Sequence, residues 1–271
     1  MEKKEKISLF EKIAFIRFMK RHNFKSVFEP RKKDGLLALH WAAMRNAFDH
    51  MVEILRLHPT AISLTDKDGN TPLHIAAMYG NVKIVKYLIA KYPELVTIKN
   101  KDGLLPLHMA IAYDYNTDIT ERLIDEEPKT LKEPANNGLV PLHIAVSRDK
   151  DNVCQRILRE YPDQIYAKDK TGATPLAKIA RKRSRSAKLI MEQDLVGTFN
   201  DLPEYIFEQK AGKNGTILKN ILSVVDMILE ERYPDRENIT EEENKIRAAI
   251  NKKCEKERKA IAERFAGKQK N

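Results

Sequence analysis

The chain has 271 residues, 42% of them hydrophobic, with 49 Lys or Arg against 39 Asp or Glu and a formal net charge of +10. That length is ample for a buried core, whereas two cysteines are too few for a disulfide framework and fit a reducing compartment. Glu11, Lys12 and Arg17 interrupt the N-terminal apolar residues, which argues against a secretion signal, and no later apolar run approaches a membrane span.

Residues 1–32 open with the capping-box spacing of Ser8 and Glu11, followed by apolar positions at Ile13, Ile16, Phe18 and Met19. With Phe24, Val27 and Phe28 they predict an N-terminal helical cap over the next segment of the chain. From residue 33 one pattern recurs: DGLLALHWAA from Asp34, DGNTPLHIAA from Asp68, DGLLPLHMAI from Asp102, NGLVPLHIAV from Asn137 and TGATPLAKIA from Thr171. Gly35, Gly69, Gly103, Gly138 and Gly172 lie 34, 34, 35 and 34 residues apart, and Pro59, Pro93, Pro128 and Pro162 keep the same phase. A fixed period of this length predicts stacked structural repeats. The blocks are about 33–66, 67–100, 101–135, 136–169 and 170–195.

The second block shows the unit most clearly. Pro72 suits a first helical turn, and Leu73, Ile75, Ala76 and Ala77 supply a small apolar face. A loop at Gly80 and Asn81 leads to Val82, Ile84, Val85, Leu88 and Ile89 at helical spacing, until Pro93 stops the helix. Each unit is therefore expected to be helix, turn, helix, extended loop. Aligning Ile119, Leu123 and Ile124 with Ile84, Leu88 and Ile89 puts the single inserted residue near Tyr115 and Asn116.

This unit resembles the ankyrin repeat, whose T-P-L-H-x-A-A core is matched in full by Thr71 to Ala77 and closely by Pro106 to Ala110 and Pro141 to Ala145. The resemblance implies an all-α solenoid of stacked helix-turn-helix units. Leu37, Leu105 and Val140 replace the threonine, so the Thr-to-His hydrogen bond implied by the family is open to few copies. Ala177 and Lys178 replace the histidine and the next apolar residue in the last block, as in a terminal repeat whose inner positions have turned polar.

Beyond residue 195 the signature fades. Ile217, Ile221, Val224, Val225, Ile228 and Leu229 predict a helix ending at Tyr233 and Pro234, so 196–236 reads as a degenerate repeat or a helical cap. Thr240 and Glu243 repeat the capping-box spacing ahead of a C-terminal helical extension, 237–271, with a stripe at Ile246, Ile250, Cys254, Ile261 and Phe265. From Lys245 onward there are ten basic and three acidic residues.

Enzymatic chemistry finds little footing. His40, His74, His108 and His143 recur once per block, about 10 Å apart if the stacking that the ankyrin resemblance implies holds, so no two share a metal ion and they read as structural. Gly-rich phosphate loops and H-E-x-x-H, C-x-x-C and G-x-S-x-G motifs do not occur, and Asp201 with Glu204 reads as a solvated pair. Cys154 aligns with the buried Val85 position and is expected to be a small core residue. We expect neither a cofactor nor catalysis.

The family resemblance implies that a partner protein is held by a concave face, built from the two residues after each A-A pair and from finger loops. Transferred here, the paired positions are Met44-Arg45, Met78-Tyr79, Ala112-Tyr113, Ser147-Arg148 and Arg181-Lys182. They give a row of Arg45, Tyr79, Tyr113, Arg148 and Lys182, and Tyr and Arg are enriched at interface hot spots. The fingers add Lys33, Leu36, Lys67, Asn70, Lys101, Leu104 and Leu139, with leucines expected to be exposed at three tips. The first reading is a monomeric adaptor in the cytoplasm that holds a protein with an acidic or mixed surface. A second is binding of nucleic acid or an anionic membrane through Arg181, Lys182, Arg183, Arg185 and Lys188 and the basic C-terminal helix. The run from Arg181 to Arg185 also resembles a nuclear import signal. Finally, Glu241-Glu242-Glu243 resembles the acidic translocation signals of ankyrin-type effectors that bacteria inject into host cells, which would set the chain in a host cytosol.

Overall fold

A computed structural model of the chain describes residues 9–31, 35–113, 117–179, 184–202, 213–232 and 241–268. Their regular structure is helical, with no strand among the described residues. They fall into two compact units, residues 1–130 and 131–271.

In the first unit α1 (Leu9–Arg21) precedes three helix pairs: α2 (Ala38–Met44) with α3 (Phe48–Leu57), α4 (Pro72–Met78) with α5 (Val82–Lys91), and α6 (Pro106–Tyr113) with α7 (Thr117–Glu126). The short first helices are rich in alanine, and this lets backbones approach: α2 packs on α4 and α4 on α6, while α5 packs on α7. Leu39, Leu73, Leu107, Ile84 and Leu88 are fully buried in these interfaces. Pairs are closed by a left-handed residue, Asn46 (φ 55°) after α2 and Gly80 (φ 73°) after α4, residue types that tolerate positive φ.

The expected extended loop after each second helix is in part a 3-10 helix. Pro59–Ser63 and Pro93–Thr97 each begin one, because a proline that stops an α-helix interior also has the φ that suits the first position of the next helix. The proline period thus marks one helix ending and another beginning.

The cap forms as expected in part. Phe18, Met19, Phe24 and Val27 are buried, α1 packs on α3, and the Phe18 ring lies 5.5 Å from Trp41 and 4.3 Å from His50. Ile13, Ile16 and Phe28, expected in the same core, are exposed instead. Ser8 lies outside the described residues, as do Tyr115 and Asn116 at the inserted position.

In the second unit α8 (Pro141–Arg148) pairs with α9 (Asp151–Glu160), and the next block replaces a full first helix with the 3-10 turn Pro175–Lys178, followed by α10 (Arg185–Gln193). Ala177 and Lys178 are drawn toward the interior there, Lys178 only in part. Ala177 is buried, and the Lys178 ammonium sits 2.6 Å from the buried Asp169 carboxylate. Burial opposes that carboxylate's charge, but Lys178 and the groups of Thr171 and Ala173 more than offset it and hold its pKa down to about 2. With no histidine at 177, the buried Thr174 hydroxyl finds no partner among the described residues.

The unit continues as α11 (Leu195–Asn200), α12 (Lys213–Arg232) and α13 (Glu241–Lys268). Ile221, Val224, Val225, Ile228 and Leu229 of α12 share one core with Leu176, Ala187 and Met191 and with Ile246, Ile250 and Cys254 of α13. The C-terminal helix therefore folds onto this unit along the predicted stripe, with Ile261 packed at its margin. Thr240, Tyr233 and Pro234 lie outside the described residues. Asp201 is not merely solvated; it takes a 2.9 Å ion pair from Lys168.

Candidate functional site

Three of the repeat histidines, His40, His74 and His143, are posts that tie one block to the next. His74 accepts at Nδ1 from the Thr71 hydroxyl (2.9 Å) and backbone N–H (3.2 Å), which places its proton on Nε2, donated to the Leu104 carbonyl of the next block at 2.9 Å. His40 reaches the Asn70 carbonyl at 2.8 Å and His143 the Ala173 carbonyl at 3.0 Å in the same way. In two of the copies where leucine or valine replaces the threonine, the backbone N–H alone serves Nδ1, from Leu105 to His108 (3.1 Å) and from Val140 to His143 (3.2 Å), whereas beside Leu37 the buried His40 Nδ1 has no partner among the described residues. The side-chain half of the implied Thr-to-His contact is thus absent from these copies, and the backbone half is kept at His108 and His143 but not at His40.

Desolvation lowers the pKa of His40, His74 and His143 from 6.5, for His74 to about 4, despite the carbonyl each one faces. A folded value below the unfolded one means that the unfolded chain takes up the proton first as pH falls. Stability should therefore be level above pH 6.5, fall between 6.5 and about 4, and change no further through His74 below that. His74 alone accounts for a loss of about 2 kcal/mol between pH 7 and pH 5, a window in which ordinary carboxylates stay charged. Thermal melts at those two pH values check this, and an unchanged midpoint would contradict it.

The loop tips interlock as well. Asp66 Oδ1 accepts from the N–H groups of Asp68 and Asn70, Asn100 Oδ1 accepts from those of Asp102 and Leu104, and Asn100 Nδ2 donates to Asn70 Oδ1 at 2.8 Å. Asn70 Nδ2 in turn donates to Asp66 Oδ2. Asn70 is buried and its amide is used up inside the protein, so it is not the exposed finger contact expected from sequence. Gly69 (φ 80°) sits against this ladder, and a Cβ there would lie 2.8 Å from the Lys101 backbone nitrogen.

These posts and ladders present the row. Arg45 and Tyr79 cap α2 and α4, and Tyr113 ends α6; because these helices pack side by side, the three occupy one register position on adjacent rods. All three are exposed, Tyr79 by 47% and Tyr113 by 48%, while Met78 beside them is half-buried. Asn81 carries no distinguishing mark in the sequence, yet it fixes the row. Its buried amide donates to the carbonyls of Ala43 and Met44, tying the end of α2 to the start of α5. In the second unit Arg148 is exposed at the same register position of α8.

Among the finger positions Lys67 and Lys101 are exposed, and the Lys101 ammonium donates to the Lys67 carbonyl. Leu36, Leu104 and Leu139 are half-buried rather than exposed, since each lies where its loop turns into the stack. Lys33, Arg181, Lys182 and Arg183 lie outside the described residues. Arg185 is exposed, whereas Lys188 is ion-paired with Glu231 and near Glu192, so it is not a free cation of a basic patch. On α13, Lys245, Arg247 and Lys253 pair with Glu241, Asp226 and Glu257.

Cys154 is fully buried and desolvation pushes its thiol up to about 12, the inert state expected of it. Among the described residues no group of His, Cys, Asp and Glu is arranged to hold a metal, and no helix is long and apolar enough to cross a membrane.

A family model for ankyrin repeats, built of three copies, matches residues 12–99, 39–131 and 107–201. No curated protein matches the chain significantly.

Proposed function

Because the chain belongs to the ankyrin-repeat family, an all-α class whose members generally bind other proteins, we propose that it is an adaptor that grips a partner protein through the ends of its first helices. The observation that carries this is the pair Tyr79 and Tyr113, two large side chains about half exposed at one register position of adjacent helices, beside Arg45. Burying a tyrosine ring while its hydroxyl keeps a hydrogen bond suits a hot spot, and Arg45 with Lys67 and Lys101 selects a partner with acidic or mixed charge. Lys33 adds to this charge in the reading from sequence, and Arg148 and Lys182 offer the same chemistry within the second unit. The repeat array in this account has five members, the last one degenerate, and works as a monomer in a reducing compartment, where buried thiols such as Cys154 persist.

The charge available for nucleic acid or membrane binding is reduced by the pairing of Lys188, Lys245, Arg247 and Lys253, which leaves the protein-binding reading ahead. The test is capture of the partner by the Tyr79→Ala/Tyr113→Ala chain. Capture should fall at least about tenfold with little change in melting temperature, because neither side chain is in the core. Undiminished capture would move the interface elsewhere.

A further inference from the structure

Three of the large apolar side chains exposed among the described residues, Ile13, Ile16 and Phe28, cluster at the N-terminal cap, apart from the tyrosine row. Between α1 and the 24–28 segment lies a hollow of about 340 Å³ lined by Phe15, Ile16, Met19, Phe24, Phe28 and His58. The Phe28 ring stands edge-on to His58 at 5.5 Å, which holds that ring in place. A second, larger hollow adjoins it and shares Lys20, Phe24 and Lys25. Its lining adds Arg31, whose guanidinium lies 5.1 Å above the Phe24 ring, and a single acidic residue, Glu29.

Charge around these hollows is one-sided. Arg17, Lys20, Arg21 and Lys25 are exposed and form no ion pair among the described residues, whereas Arg56, Arg156, Lys168, Lys178 and Lys188 each pair with a carboxylate. An apolar seat rimmed by cations that have no ion pair among the described residues favours a ligand that brings both apolar groups and negative charge.

We propose that this cap groove is a second docking site, separate from the tyrosine row, for an acidic amphipathic segment of a partner protein. A large apolar side chain of that segment fills the hollow between Ile16 and Phe28, and its Asp or Glu residues face Lys20 and Lys25. The hollow favours an inserted side chain over a flat lipid surface, which is met by protruding residues.

Panning the full chain against a displayed library of random short peptides tests this. The expected winners combine Leu, Ile or Phe with Asp or Glu. They should bind at least about tenfold more weakly to the Ile16→Glu chain and to the Lys20→Glu/Lys25→Glu chain, and equally well to the Tyr79→Ala/Tyr113→Ala chain. Ile16, Lys20 and Lys25 are exposed, so these variants should keep their melting temperature. The proposal is overturned if no peptide is enriched, if winners lack acidic residues, or if their binding ignores the cap substitutions. It is overturned equally if the cap substitutions abolish only binding to phosphatidylserine vesicles, or only self-association of the chain.

Discussion

The His74→Ala chain should lose about 3 kcal/mol of stability, a large fraction of the roughly 5–15 kcal/mol that holds an ordinary domain folded. Three contacts go at once: the Thr71 hydroxyl and N–H lose their acceptor, and the Leu104 carbonyl in the next block loses its donor. The two Thr71 groups are buried and the Leu104 carbonyl partly so, and each buried group that is orphaned costs about 1–3 kcal/mol. A cavity adds to this. Ala177, which occupies the same position naturally, sits in a block whose first helix has shrunk to a 3-10 turn. Chemical denaturation of the variant checks the size of the effect, and a loss under about 1 kcal/mol would mean that the histidine posts are not what ties adjacent repeats.

Gly69→Ala should be comparably damaging, and for a different reason. At φ 80° an alanine is already strained by about 1–2 kcal/mol, and here its Cβ would also press within 2.8 Å of the Lys101 backbone nitrogen, which donates to the Asp68 carbonyl. Relief requires the two loop tips to part, and with them the ladder of Asp66, Asn70 and Asn100. Gly172 offers the control. It has nearly the same φ, 78°, but nothing lies within 4 Å of its Cβ position, so Gly172→Ala should cost only the strain. Paired melting curves should show Gly69→Ala the worse by at least about 1 kcal/mol, and equal losses would contradict the close approach.

The repeat and its helices could be read from sequence because glycine and proline carry their conformational demands in the residue itself. Positive φ at Gly69 and the proline starts of α4 and α8 need no tertiary context. What could not be read were roles conferred by a neighbouring block. Asn70 looks like any polar loop tip until Asn100 is seen to reach it, and Asn81 looks like a turn residue until its amide meets Ala43 and Met44. A cue for the ladder was present, since Asp66, Asn100 and Asp169 each stand three residues before a period glycine. Ala135 breaks that series. Lys178 appeared as a polar intrusion because its carboxylate, Asp169, is nine residues away in the chain, and the leucine tips appeared exposed because a finger's lean toward the stack is set by the stack itself.

Tyr79 and Tyr113 are the large exposed aromatic side chains of the proposed row, so the proposed interface stands or falls with them. A photoreactive phenylalanine analogue placed in turn at positions 79, 113 and 86 tests that claim most directly, position 86 being an exposed site on α5 away from the row. Irradiation in the presence of the partner should yield crosslinks from 79 and from 113 and none from 86. Crosslinks from 86 with none from the two tyrosine positions would contradict the account.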